Sequence, residues 1–141
     1  MLITRIIEFG ELERVKAFYE VSAYSQPLDP SDSILVAESG DDILAALRLC
    51  YEHGTIVLRG MQVHPEKLRR GIGSDLLRYT ANVIGDEICY CIPHQYLTSF
   101  YGQIGFVEIP IDRAPEFLGS RLKLYQRKLN LDVILMEKVA C

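Results

Sequence analysis

Three strand-like segments joined by short turns, with a helix start close behind them, constrain the fold of this chain more than any other feature. Residues 34–38, 43–52 and 55–63 are rich in apolar and β-branched side chains, and the turn sequences SGDD (39–42) and HG (53–54) separate them. Apolar residues then recur at helical spacing from Ile72 to Ile84, and Gly85 follows them. The pattern predicts an antiparallel meander of three strands that leads through a loop into a helix.

The flanking segments add further strands and helices. Residues 2–9, 87–92, 106–111 and 131–139 are predicted strands. Helical stripes are formed by Leu12, Val15 and Tyr19, and by Leu97, Phe100, Tyr101 and Ile104 before Gly105. We expect residues 25–33 to be a loop, and residues 114–130 a loop with a short helix. This order predicts an α/β fold of the α+β type, a single-domain mixed and mostly antiparallel sheet flanked by helices.

Length and charge exclude several other classes of protein. With 141 residues the chain fits one domain, residues 1–141. A net charge of -4 and a pI near 5.4 give no general attraction to nucleic acid. Arg5 and Glu8 interrupt the apolar amino terminus, and no other run approaches the roughly 20 apolar residues of a membrane span. We therefore expect a cytoplasmic protein with reduced cysteines and neither a nucleic-acid nor a membrane partner.

The junction between the third meander strand and the helix has the composition of a phosphate-binding loop. Gly71 and Gly73 remove side chains where a helix begins, so several backbone N–H groups can face one anion. Lys67, Arg69 and Arg70 add positive charge, which suits a diphosphate. The alternative is a glycine-softened loop with solvated arginines. Neither the P-loop pattern G-x-x-x-x-G-K-[ST] nor the dinucleotide pattern G-x-G-x-x-G is present.

Two motifs at the proper separation resemble those of the GNAT acyltransferase superfamily. The sequence MQVHPEKLRRGIG (61–73) is similar to the family's apolar strand, V-x-P and [Q/R]-x-x-G-x-[G/A] loop, with Leu68 at the first position of the loop motif. The sequence HQYLTSFYGQIGF (94–106) keeps the aromatic pair and the Gly-Phe of a second family motif, although His94 and Leu97 depart from it. The ending VILMEKV (133–139) is similar to the family's last strand. The resemblance covers essentially the whole chain.

This resemblance implies a ligand and an activity. The ligand would be acetyl-CoA or another acyl-CoA, used as a co-substrate by an N-acetyltransferase that moves the acetyl group to a primary amine by direct attack. The implied coenzyme-binding residues are those of the glycine loop, the end of the preceding strand and the start of the second motif: Val63, Arg69, Arg70, Gly71, Ile72, Gly73, Ser74 and His94. The strand before the loop would separate from its neighbour near Val63 and free a backbone N–H to act as an oxyanion donor.

Tyr101 matches the family position that is often assigned as the general acid. A tyrosine is protonated at neutral pH and can donate to a departing thiolate. Because Tyr101 shares a helical stripe with Leu97 and Ile104, the alternative is a purely structural core residue. The sequence assigns no general base; His64 and Glu38 are candidates, and deprotonation through water is equally compatible.

The cysteines and the charged segments bear on possible metals and partners. Cys89, Cys91 and His94 lie close in sequence, but a fourth zinc ligand is not evident, so we expect buried thiols and no metal. The acceptor is a small-molecule or protein amine, and its identity is open because residues 25–33 are acidic and residues 111–130 are basic. Since dimers are common in the resembled family, a homodimer is also open. The alternative functions are a non-catalytic acyl-CoA-binding sensor or partner domain and a nucleotide-binding regulatory domain.

Overall fold

A computed structural model describes residues 1–139, whose strands form one seven-stranded sheet. The strands are β1 (Ile3–Ile6), β2 (Ser33–Ser39), β3 (Asp42–Glu52), β4 (Thr55–Val63), β5 (Cys89–Cys91), β6 (Val107–Glu108) and β7 (Met136–Lys138). The helices are α1 (Leu12–Val21), α2 (Ile72–Ile84), α3 (Thr98–Gly102) and α4 (Glu116–Arg127). No helix in this part of the chain combines the length and apolar character needed to cross a membrane.

The sheet is mixed and mostly antiparallel, as predicted. Its strand order is β1-β2-β3-β4-β5-β7-β6, and every neighbouring pair is antiparallel except β4 and β5, which are parallel. Strands β2 to β4 form the expected meander, and β4 ends at Val63 as the sequence indicated. The predicted fold class is therefore confirmed.

Side chains alternate between the two faces of the sheet, and each face is covered by two helices. On one face, Leu35, Leu47 and Leu58 pack with the α2 and α3 side chains, among them Leu77 and Tyr101. On the other face, Ile34 and Val36 pack with α1, and Val57 and Leu135 pack with α4. The sheet is thus buried on both sides, and β4, in its centre, contacts both layers.

The segment 114–130 differs from its prediction, since it contains the 12-residue helix α4 rather than a short one. Its buried stripe is formed by Leu118 and Leu122, one helical turn apart. Gly119 lowers the helical propensity, yet a Cβ at this position would lie 3.1 Å from Cγ1 of Ile111, so the glycine serves close packing. The closing strands are also shorter than predicted. Residues 131–135 make isolated backbone hydrogen bonds, such as that from Ile134 N–H to the Pro93 carbonyl, instead of a continuous strand pairing.

Candidate functional site

Strand β4 separates from β5 over its second half. The two strands pair at only two positions, Ile56 with Cys89 and Val57 with Tyr90. Strand β4 continues to Val63, and beyond Val57 no strand within residues 1–139 pairs with this edge. Backbone N–H and C=O groups along this edge are therefore available to a ligand. This is the strand separation that the sequence comparison implied.

A bulge shapes β4 where the two strands diverge. Between Arg59 and Gln62 the strand has one residue more than β3 has between Ala46 and Arg48, and Gly60 adopts a φ of +65°. A Cβ on Gly60 would lie 2.9 Å from the Tyr24 hydroxyl oxygen, so no larger residue fits without movement. The bulge thus depends on glycine for both its backbone conformation and its packing.

Buried polar side chains support the bulge from the α1 face. Tyr19 donates from its hydroxyl to the Gly60 carbonyl at 2.9 Å. Arg48 donates to the Tyr24 hydroxyl at 2.6 Å and pairs with Asp32 at 2.8 Å, where both charged side chains are 3% exposed. Because Asp32 belongs to the loop 25–33, this ion pair fixes the loop against the sheet.

The opening between β4 and β5 leads into a cavity of about 290 Å³. Gly60, Met61, Cys91, His94 and Tyr101 contribute to its wall. Residues of the loop 25–33 region and of α4 close it on the opposite face of the sheet. The cavity, as we call this space below, brings two of the predicted site residues together, Tyr101 and His94.

The glycine loop, residues 68–74, has the conformation of an anion-binding helix start. Arg69 and Gly71 have positive φ values of +63° and +77°. Gly71 is the N-cap of α2 without a side-chain cap, and the first helical hydrogen bond runs from Asp75 N–H to the Gly71 carbonyl at 3.0 Å. The N–H groups of Ile72, Gly73 and Ser74 precede that bond, so they are not used by the helix and can bind an anion.

Gly73 holds the glycine loop close to β4. A Cβ at this position would lie 3.2 Å from Cγ2 of Val63, 3.3 Å from Cε of Met61 and 3.5 Å from Cε1 of Phe100. Gly71 has open space instead and is required for its left-handed backbone. Since Met61 also lines the cavity, the glycine loop and the cavity adjoin one another. Leu68, Arg69 and Arg70 are exposed beside this loop.

Tyr101 combines a core position with access to the cavity. Its ring is 4% exposed and packs edge-on against Phe100 and Phe106. The hydroxyl makes no hydrogen bond within residues 1–139. Every fully buried side-chain oxygen or nitrogen in that part of the chain has a hydrogen-bond partner, so the Tyr101 oxygen must be partly exposed. The hydroxyl therefore reaches the cavity that Tyr101 lines. Burial raises the pKa of Tyr101 well above its usual value, which keeps the hydroxyl protonated.

His94 lies at the edge of the cavity and is exposed. Its ring stacks on Tyr96 with centroids 5.5 Å apart, and its backbone bridges to Val133. His64 instead accepts a hydrogen bond from the Glu66 N–H through Nδ1 at 3.1 Å, outside the cavity. Of the two candidate bases named from sequence, His64 is thus a turn cap and Glu38 is paired with Arg14 at 3.1 Å.

The cysteines in β5 are buried and are not in disulfides. Burial raises the pKa of Cys89 to about 12 and that of Cys91 well above its usual value, so both are neutral thiols at physiological pH. Within residues 1–139, no group of three or more His, Cys, Asp or Glu side chains is placed to hold a metal ion. These thiols pack in the core beside the cavity.

Arg59 and Arg121 lie on the far wall of the cavity. The sequence indicated a basic segment at residues 111–130, which includes Arg121, but it singled out neither arginine as a site residue. Arg121 in α4 donates to both carboxylate oxygens of Glu52, and Arg59 lies 3.6 Å from one of them. Although burial alone would raise the pKa of Glu52, its hydrogen bonds with Arg121 hold that pKa below the usual value. Arg59, the single charged residue of β4, was the available sequence signal.

Comparison with known proteins places the chain in a family. The sequence profile of the acetyltransferase (GNAT) domain matches residues 30–108, more than half of the chain. The chain therefore belongs to the GNAT acetyltransferase family. A search of curated protein sequences gives no significant match.

Solved structures share this fold at low sequence identity. Rv2747 from Mycobacterium tuberculosis, solved in complex with CoA and NLQ, is 18% identical with a TM-score of 0.72, and 99% of each chain is covered. An acyl-CoA N-acyltransferase from Pseudomonas aeruginosa is 18% identical with a TM-score of 0.65, again with 99% of each chain covered. The ribosomal-protein-S18-alanine N-acetyltransferase from Escherichia coli is 13% identical with a TM-score of 0.70, covering 100% of this chain and 96% of its own.

Proposed function

We propose that this protein is an acyl-CoA-dependent N-acetyltransferase that moves an acetyl group from acetyl-CoA to a primary amine by direct attack. One observation carries the proposal: the uncapped start of α2 adjoins, through Gly73 and Met61, a cavity into which the Tyr101 hydroxyl opens. An anion site and a proton donor beside one another are what transfer from a coenzyme thioester requires.

Backbone groups would bind the diphosphate of the coenzyme. The N–H groups of Ile72, Gly73 and Ser74 precede the first helical hydrogen bond of α2, and the helix dipole favours an anion there by about 0.3 to 1 kcal/mol. Arg69 and Arg70 are exposed beside the loop and add charge. The unpaired edge of β4 up to Val63 would take the pantetheine arm and direct one N–H at the thioester carbonyl. The CoA in the Mycobacterium tuberculosis structure supports this ligand class.

In the transfer step the neutral amine attacks the thioester carbonyl carbon, and the new C–N bond forms as the C–S bond breaks. The β4 N–H near Val63 would stabilise the oxyanion, and losing such a donor typically costs about 10²- to 10³-fold in rate. Tyr101 would give its hydroxyl proton to the departing sulfur, the proton of the amine would pass to water, and the Tyr101 oxygen would regain a proton from water. No side chain is assigned as the base.

Ligand-dependent stability and turnover test this function together. Thermal unfolding is followed with acetyl-CoA, CoA, ATP and NAD, and a ligand at 100 times its Kd should stabilise by about 2.7 kcal/mol. We expect a response to acetyl-CoA and CoA alone, and thiol release that depends on added amine. A response to ATP or NAD instead would overturn the proposal. Stabilisation by acetyl-CoA without turnover on a broad amine panel would favour the non-catalytic acyl-CoA-binding domain.

A further inference from the structure

The cavity wall carries positive charge without a matching carboxylate. Arg59 and Arg121 both line the cavity, and no aspartate or glutamate of residues 1–139 does. The nearest acid is Glu52, which lies behind the two guanidinium groups and is 20% exposed. Two cations share one anion, so this wall has a net charge of about +1 at neutral pH.

Arg59 has hydrogen-bond donors that are available to a ligand. Both Glu52 oxygens accept from Arg121, one of them from Nη1 at 3.2 Å. Arg59 Nη1 lies 3.6 Å from Glu52, and its guanidinium makes no hydrogen bond with any side chain or backbone group in residues 1–139. Arg59 is 25% exposed and lines both the cavity and the neighbouring pocket that contains Asp29 and Asp32, so its N–H donors are available to a ligand at the border of the two.

Arg121 is held in place from two sides. Its guanidinium donates two hydrogen bonds to the Glu52 carboxylate. The guanidinium carbon, Cζ, also lies 5.6 Å from the centroid of the Phe117 ring. Such a fixed guanidinium suits bidentate binding of a planar anion. Glu52 is therefore a positioning residue.

The acidic loop 25–33 does not neutralise this wall. Gln26 of this loop and the preceding Tyr24 line the cavity, and both are uncharged. Asp32 is paired with Arg48, and Asp29 accepts from the Ser31 N–H at 2.8 Å. Asp29 and Asp32 line the neighbouring pocket, which Arg59 also borders, and neither carboxylate lines the cavity itself.

We propose that the acceptor is a small amino acid type of molecule, with a carboxylate that binds Arg59 and Arg121 and an amine that points toward Tyr101. This inference rests on the proposed function. The cavity volume of about 290 Å³ must hold the end of the coenzyme arm and the part of the acceptor that carries the amine and the carboxylate, and a small amino acid fits within it. The surplus positive charge also lowers the pKa of the incoming ammonium group, so it favours the neutral amine that attacks.

Turnover on matched amines tests the proposal. The twenty common L-amino acids and their carboxamides are compared with acetyl-CoA, and thiol release is measured for each. We expect kcat/KM for at least one amino acid to exceed that for its carboxamide by about 10- to 100-fold. This is the effect expected from one or two charge-assisted hydrogen bonds to the carboxylate. Arg59→Gln should remove most of this preference by raising KM, whereas Arg127→Gln, on the exposed end of α4, should leave it unchanged. Equal use of acids and amides would overturn the carboxylate site.

A binding measurement separates this inference from the proposed function. The CoA-loaded protein is titrated by calorimetry with N-acetyl amino acids and with their carboxamides. Tighter binding of an acid than of its amide, lost in Arg59→Gln, supports the carboxylate site even if no amine is turned over, in which case only the proposed function fails. Equal binding of the two forms, or a preference that survives in Arg59→Gln, overturns the inference even if the enzyme is active.

Discussion

The glycine loop and the cavity are adjacent, but they are built from different parts of the chain. In the glycine loop the groups available to a ligand are backbone N–H groups, and glycines at 71 and 73 supply the conformation and the space. In the cavity the groups are side chains, and they come from β4, β5, α3 and α4 and from the adjoining loops. A backbone site tolerates many sequences around it, whereas a side-chain site changes with each substitution. This difference explains how one fold can keep a coenzyme and vary the acceptor.

The largest expected effect is a loss of stability at the buried ion pair that holds the loop 25–33, which contributes Gln26 to the cavity wall. Arg48→Met removes one partner of the buried pair with Asp32, and we expect a loss of about 3 to 5 kcal/mol in the free energy of unfolding because the carboxylate is left buried and unpaired. Urea denaturation measures the loss. Arg127→Met, an exposed change in α4, should stay within about 0.5 kcal/mol.

A double variant sharpens this prediction. Asp32→Leu combined with Arg48→Met removes both charges together, so it should recover part of the stability that Arg48→Met alone loses. If the single variant lost less than about 1 kcal/mol, the ion pair would not be what holds the loop 25–33 against the sheet. The claim that buried side-chain interactions build the cavity region would then be refuted for this ion pair.

Catalysis should depend on one cavity side chain. Tyr101→Phe keeps the ring between Phe100 and Phe106 but removes the hydroxyl, so we expect kcat to fall by about 100-fold or more while the affinity for acetyl-CoA is unchanged. Steady-state kinetics and calorimetry measure the two quantities. Near-normal turnover would assign Tyr101 to the core alone.

The pH profile provides an independent check on Tyr101. Because burial raises its pKa well above the usual value near 10, the proton is retained throughout the accessible alkaline range. The kcat of the wild-type protein should therefore show no decline between about pH 8 and pH 10 from loss of this proton. A decline in that range that is absent in Tyr101→Phe would contradict the protonated state inferred from burial.

The sequence predicted the backbone-built region better than the side-chain-built one. Gly71 and Gly73 could be recognised because left-handed backbone and close approach require glycine, and local spacing showed where β4 ends and α2 begins. The Arg121 and Glu52 pair joins residues 69 positions apart, so no local pattern revealed it. Helix α4 was underestimated because Gly119 and the surrounding charges obscured its buried stripe, whose packing overrides propensity.

Backbone strain at the glycine loop should have an intermediate effect. Gly71→Ala meets no atom within 4 Å, but its φ of +77° disfavours a Cβ by roughly 1 to 2 kcal/mol, so we expect acetyl-CoA affinity to fall by about 10-fold. Gly71→Asn should lose less, because asparagine tolerates this conformation. Gly40→Ala is the matched control, since it has a φ of +61° and open space in the turn between β2 and β3. It should lower stability without changing the affinity, and an equal loss of affinity in both variants would refute a local role for Gly71.

The smallest effect should come from a charged side chain beside the same loop. Arg70 is exposed, so Arg70→Ala should weaken acetyl-CoA binding by only about two- to fivefold, the range of a solvated ion pair. Raising the salt concentration to about 0.5 M should reduce this difference further, because screening acts on the side chain and not on the backbone hydrogen bonds. Calorimetry at two salt concentrations measures both quantities. A loss of 100-fold or more in Arg70→Ala would mean that side chains dominate coenzyme binding as well, and the distinction between a backbone-built glycine loop and a side-chain-built cavity would fail.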